Sequence, residues 1–383
     1  MEFINETSFP ADLTRTQLFY KDLLMAIVVL KATYRVGPDG IVFPDPDPIP
    51  LNEGDQETPY GGLEGDYAPI KQDVDILVLG QAHAPNGQPV PHQPVGIFMG
   101  DLSRQLIVFG DRKWQASGQA TQPVPFSTMP ITYANAYGGD ARHAEEYRMG
   151  YPQNPMGKGH IVLPEDVDGV ALPNVEDPDE RVKSWEDQPT PAGFGAMPRV
   201  SSLRGLRGVR VEVEEKKTTV EPAFFNCAYP QMLRPELSMG VEIRLAGMRA
   251  AGDWKFKLPE LYVGVEARLG SATTHFAMRP DTLCLLPEED RFFIVFRRTF
   301  VYPFVSEQER SIHVMKIDQR ESAELTAGLP RALKDAAADP EDPIALVSPA
   351  EDPSLIPISH EYMMQYYPLN EIILQLPICA AAL

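Results

Sequence analysis

The stretch Leu23-Leu-Met-Ala-Ile-Val-Val-Leu-Lys-Ala-Thr-Tyr-Arg-Val36 is rich in β-branched residues and stops at Gly37-Pro38. An apolar run of this kind, closed by turn residues, predicts a largely buried strand. The next segment, 38–69, holds PDPDPIP (44–50) and reads as extended loop, because proline removes a donor and fixes φ. Strands follow at 74–82, 94–100, 105–110 and 130–137, joined by turns such as Asn86-Gly87 and Gly100-Asp101; such short connections favour antiparallel pairing. Residues 140–208 are loop by composition and, at that length, are expected to be ordered by packing. The strand signal returns near 209–214, 240–247, 260–268, 282–286, 291–301 and 311–317. Residues 321–338 favour helix, interrupted by Pro330, and an acidic, proline-containing tail follows that is expected to dock on the body. These periodicities predict a mainly β protein of antiparallel sheets in two sandwich-like lobes, with long ordered loops and a short helical and extended C-terminal tail. The expected divisions are 1–208, 209–320 and 321–383. VVLKATY (28–34) and IVFRRTF (294–300) echo one another, which fits either duplicated sheet units or convergent strand composition.

Composition narrows the classes. The chain has 383 residues, 43% of them hydrophobic, which suits a globular protein with a sizeable core. Its net charge of −20 disfavours nucleic-acid backbones and favours basic partners. Ten acids lie between Asp39 and Asp75 against Lys71 alone. Three cysteines without a CxxC argue against a disulfide framework or a structural zinc site, and fit a reducing cytoplasm. The first residues lack a basic-then-apolar leader, and no run is long and apolar enough for a membrane helix. A cytoplasmic location without membrane insertion is therefore expected.

The motifs point to structure before chemistry. Asp73 and Asp75 share a strand face and could hold a hard cation, but no further ligand is spaced to complete a site. The favoured expectation is a half-solvated charge cluster where a strand begins, with Lys71 among Asp66, Asp73 and Asp75. Arg112 and Trp114, in FGDRKW (109–114), are expected to order the fold through Asp66 or Asp73; the sharper alternative is an anion clamp. The seven histidines form no HxH or HExxH, and no GxSxG, GxGxxG or phosphate loop occurs. Cys227 and Cys284 sit in apolar surroundings typical of buried thiols. No catalytic, cofactor-binding or metal-binding residue is therefore assigned. Arg199, Arg204, Arg207 and Arg210 form the most basic stretch. They are expected to pair with the protein's own acidic loops or, failing that, to meet a protein partner.

Several strings together resemble one bacterial family, domain-of-unknown-function family 2169. They include NETSF (5–9), VVLKATY (28–34), DYAPIKQDVDILVLGQAHAP (66–85), FGDRKW (109–114), PFSTMPITYANAYGG (125–139), NPMGKG (154–159), LPNVEDP (172–178), PAGFGAMPR (191–199) and FFNCAYPQM (224–232). The resemblance runs in order through about residue 260. It implies a non-enzymatic adaptor or chaperone that binds a toxic effector of type VI secretion. Such a protein would help load its effector onto the valine-glycine-repeat spike or its tip protein. It carries over no catalytic residue. Two other functions stand beside this one: an enzyme acting on a sugar or phosphate through the Asp66–Asp75 and Arg112 region, and a permanent structural component of the spike.

Overall fold

A computed structural model of the chain describes residues 1–18, 23–141, 150–212, 217–220, 222–269, 272–303 and 310–325. The predicted buried strand is present with the same bounds, Leu23–Val36, and lies inside a seven-stranded sheet. The sheet order is Leu233–Arg234, Val74–Val78, Arg279–Leu286, Arg291–Pro303, Leu23–Val36 and Ala11–Leu18, with Val42–Pro44 added along Leu23–Val36. Alternation along Leu23–Val36 places Val28, Leu30, Ala32 and Tyr34 on one face and Val29, Lys31 and Thr33 on the other. All seven are buried. That is why the segment reads as almost continuous hydrophobicity.

The first face packs on a five-stranded sheet. Its order is Val175–Glu176, Leu102–Phe109, His92–Met99, Glu242–Ala246 and Trp254–Lys257. Tyr34 stacks on Phe292 at 5.3 Å between ring centres, and Phe292 stacks on Phe256 at 4.9 Å, which joins the two sheets. A four-stranded sheet, Glu2–Asn5, Arg310–Ile317, Tyr262–Leu269 and Ala272–Ala277, extends the same core. Most pairings are antiparallel. Two that close the fold are parallel: Glu2–Asn5 with Arg310–Ile317, and Val74–Val78 with Arg279–Leu286.

The boundary expected at 208/209 is not a sheet boundary. Leu23–Val36 pairs with Arg291–Pro303 over 13 positions, and both segments share one core. Long-range pairing of this kind leaves no trace in local composition. The echoing strings 28–34 and 294–300 are antiparallel neighbours in one sheet, with Leu30 opposite Phe296.

Other expectations shift locally. Instead of one strand at 130–137 there is a short strand Thr128–Pro130, a 3-10 turn Tyr133–Asn135 and the pair Tyr137–Gly138. The described part of 140–208 has little regular structure before the helix Ser202–Gly208, yet it is packed. Tyr137, Tyr151, Ile161, Val167, Leu172 and Val182 gather around Trp114 in a second apolar cluster. Of the predicted helix, residues 319–325 are helical, begun by the Asp318 carboxylate accepting from the Glu321 N–H at 2.7 Å. The remainder of that helix and the tail lie outside the described residues. Among the described residues no helix is long and apolar enough to cross a membrane.

Candidate functional site

The second face of the seven-stranded sheet sets buried polar side chains among Val29, Phe293 and Val295, and segment 66–71 is laid across it. Lys31, fully buried, pairs with Asp66 at 2.5 Å and donates to the Pro50 carbonyl at 3.0 Å. Lys71 donates to Asp75 at 2.7 Å and to the Thr282 hydroxyl at 2.8 Å. That hydroxyl donates in turn to Asp281 at 3.0 Å. Arg297 donates to Asp281 at 2.6 Å and to the carbonyls of Ala68 (2.7 Å) and Asp66. Three cations meet three carboxylates, so the buried charge sums to zero. They hold the backbone of 50–71 against the sheet: Lys31 and Arg297 reach carbonyls of that segment from the strands, and Lys71 reaches the Thr282 hydroxyl of the sheet from the segment.

Asp75 has its oxygens fully engaged. Besides Lys71 it accepts from the backbone N–H of Cys227 at 3.0 Å and of Ala228 at 2.9 Å. Burial alone would push its pKa up, but Lys71 and these N–H groups more than offset this and hold it below the ordinary carboxylate range. Lys71 is raised by the same pairing despite its burial. Burial first, and the Asp75 charge second, push the Cys227 thiol well above its ordinary value. A thiol held protonated in this way is a poor nucleophile. Among the described residues no three His, Cys, Asp or Glu side chains converge as a metal group would require.

The residues singled out from sequence therefore fall in three places. Asp66, Lys71 and Asp75 join the network, but as a buried array and not as a half-solvated rim. Lys71 pairs with Asp75, while Asp66 belongs to Lys31. Asp73 contributes backbone only: its N–H and carbonyl are bracketed by the side-chain amide of Asn226 at 3.1 and 2.7 Å. Arg112 contacts neither Asp66 nor Asp73. It lies just past Leu102–Phe109, whose partner strand Val175–Glu176 presents Glu176 to it, and it also donates to the Pro173 carbonyl at 2.7 Å. Trp114 is in the second apolar cluster. The anion-clamp alternative thus has its guanidinium already occupied. Lys31, Asp281 and Arg297 were missed, because nothing local marks a cation in an apolar strand as buried and paired.

The arginine run divides. Arg204 is fully buried, pairs with Glu64 and donates to the Phe224 carbonyl at 3.1 Å, so it is not presented to a partner. Helix packing turns it inward. Arg199 holds Asp55, with Nη2 to Oδ1 at 2.6 Å. Arg207 reaches the carbonyls of Asn226 and Ala228. Arg210 lies in the strand Val209–Glu212, and its side chain is outside the described residues.

These pairs brace one wall of an open cleft of about 450 Å³. The hairpin Gln56–Thr58/Gly61–Leu63 forms one side, and residues 131–134, Met156 and 195–200 form the other. The floor is apolar: Ile131, Tyr133 and Met197 are buried there, and Met156 stands 54% exposed at the edge. Asp55, Glu57 and Glu64 line the rim. Tyr60, also in the wall, has its pKa raised by burial and then by the charges of Glu288 and Glu289. The cleft thus combines an apolar floor with a rim on which Arg199 and Arg204 hold Asp55 and Glu64, while Glu57 has no ion pair among the described residues.

Stacked β-sheets around one apolar core, with a charge-neutral buried network and a surface cleft, define a mainly β protein. The family model described as "Uncharacterized protein conserved in bacteria (DUF2169)" matches residues 22–297, and the chain belongs to that family. No curated protein and no solved structure matches it.

Proposed function

We propose that this protein is a non-enzymatic cytoplasmic adaptor that holds an apolar, basic segment of a secreted effector in the cleft beside hairpin 56–63. The observation that carries the proposal is the cleft itself, an apolar floor with Glu57 on its rim beside the paired Asp55 and Glu64, on a chain of net charge −20. Apolar contact supplies affinity, and the chain's net negative charge speeds encounter with a basic partner and sets its polarity. The resemblance noted above implies that the partner is a type VI toxin, handed on to the valine-glycine-repeat spike or its tip protein. The buried ion pairs support this role by making a rigid wall for the cleft.

The test is co-purification of the full-length protein with the product of an adjacent toxin gene, followed by toxin secretion from a deletion strain. Met156→Asp combined with Glu57→Lys is expected to weaken binding at least about tenfold, as loss of an apolar contact at the cleft edge and a reversed rim charge together should. Unchanged binding by that variant, or normal toxin stability and secretion in the deletion strain, overturns the proposal.

A further inference from the structure

A second, smaller pocket, of about 300 Å³, lies between the four-stranded and seven-stranded sheets. Leu237, Met239, Leu261, Met278 and Phe296 give it apolar walls, and Ser322 of the helical segment 319–325 closes one side. Two arginines line it, Arg298 and Arg279. Arg298 has a buried Nε without a hydrogen-bond partner, and its guanidinium lies 4.6 Å from the centre of the Phe276 ring. Among the described residues no carboxylate pairs with it. Arg35, Arg104, Arg112, Arg204, Arg249 and Arg297 each hold one, whereas Arg207 and Arg279 reach carbonyls. Burial without a counter-ion pulls the Arg298 pKa down to about 10. At the mouth, Arg279 donates to the Pro235 carbonyl at 2.6 Å, and Glu236 stands exposed beside it.

We propose that this pocket binds an aliphatic carboxylate, with Arg298 as its anchor. The walls demand an apolar body, and the cation demands an anion. A carboxylate matches the planar fork of a guanidinium through two parallel hydrogen bonds. Glu236 at the mouth selects for a singly charged anion over phosphate, which would bring a second negative charge against it. The same group is presented by a free small acid and by a glutamate side chain of a docked peptide. This site is separate from the effector cleft and does not depend on it.

The experiment titrates full-length protein by calorimetry with 4-methylpentanoate and, in a parallel arm, with acetyl-Leu-Glu-Leu-amide; 4-methylpentanamide is the uncharged control. Saturable binding of at least one acid is expected, with the amide at least about tenfold weaker, the range of a charge-assisted hydrogen bond. Tighter binding of the peptide assigns the site to a protein ligand, and tighter binding of the free acid assigns it to a small molecule; either supports the site. Arg298→Met removes a partly buried charge that no carboxylate compensates among the described residues, so it should fold, as circular dichroism will verify, while losing the acid at least about tenfold. Arg279→Gln should weaken binding less. No binding of either acid by the wild type, or equal binding by Arg298→Met, overturns the proposal.

Discussion

Asp75 is a position at which a single substitution should cost the fold heavily. It is fully buried, and four donors converge on it: Lys71, the Cys227 N–H and thiol, and the Ala228 N–H. Asp75→Asn keeps the shape but leaves Lys71 charged and without its counter-ion. The expected loss is about 3–5 kcal/mol, the cost of breaking a buried pair from one side. Asp73→Ala, two residues away, removes a half-buried carboxylate outside the network and should change stability by no more than about 0.5 kcal/mol. Urea unfolding of both variants checks the contrast, and equal losses would refute it. The pH dependence follows from the directions of the shifts. Asp75 is depressed on folding, so its contribution is complete above the unfolded carboxylate value of about 3.9 and is lost as pH falls through its lower folded value. Lys71 is raised, so its contribution is complete below about 10.4 and is lost only in stronger alkali. Urea midpoints should therefore be flat with respect to this pair at neutral pH and fall in acid, with a shallower acid limb in Asp75→Asn. The sequence made Asp66, Lys71 and Asp75 visible as a group. It hid their burial, because the cover comes from Lys31 and Arg297, the second more than 200 residues away.

Three buried asparagines do for the irregular segments what strand partners do for the sheets. Asn154 donates to the carbonyls of Tyr133 (2.7 Å) and Tyr137 (3.0 Å). Asn174 donates to the Phe109 carbonyl at 3.0 Å, and Asn226 to that of Asp73 at 2.7 Å. Each satisfies backbone acceptors that have no ladder of their own. Gly138 completes the Asn154 bracket: at φ 145° it approaches so closely that a Cβ would lie 2.1 Å from the Asn154 carbonyl oxygen. Asn154→Ala should cost about 1–3 kcal/mol by orphaning buried acceptors. Limited proteolysis should spare 150–198 in the wild type and cut there in the variant. Rapid cutting of the wild type would contradict the packing around Trp114. The strands were legible because alternation and apolar runs are local. The short ladders and the 3-10 turn at Tyr133–Asn135 were not, because the ladders pair with main chain well away in sequence and the Tyr133 carbonyl accepts from Asn154.

Across the molecule, excess negative charge should make encounter with a basic partner salt-dependent. The Debye length shortens from about 10 Å at 0.1 M to about 3 Å at 1 M, so rim charges lose their reach. Stopped-flow association with the co-purified effector should slow at least about tenfold over that range, while a rate independent of salt would assign recognition to the cleft floor alone.

The pairing of Leu23–Val36 with Arg291–Pro303 also sets a timetable for synthesis. The earlier strand leaves the ribosome long before its partner is made. At about 5–20 residues per second, the intervening stretch takes on the order of 15–50 s. Throughout that interval an apolar strand of 14 residues has only Ala11–Leu18 and Val42–Pro44 to pair with in the seven-stranded sheet. A nascent chain in that condition is a client for holding chaperones, and a fragment ending at residue 208 should be recovered insoluble. Refolding of the intact chain should be slow, as expected where non-local strand pairing must precede the gain from burial.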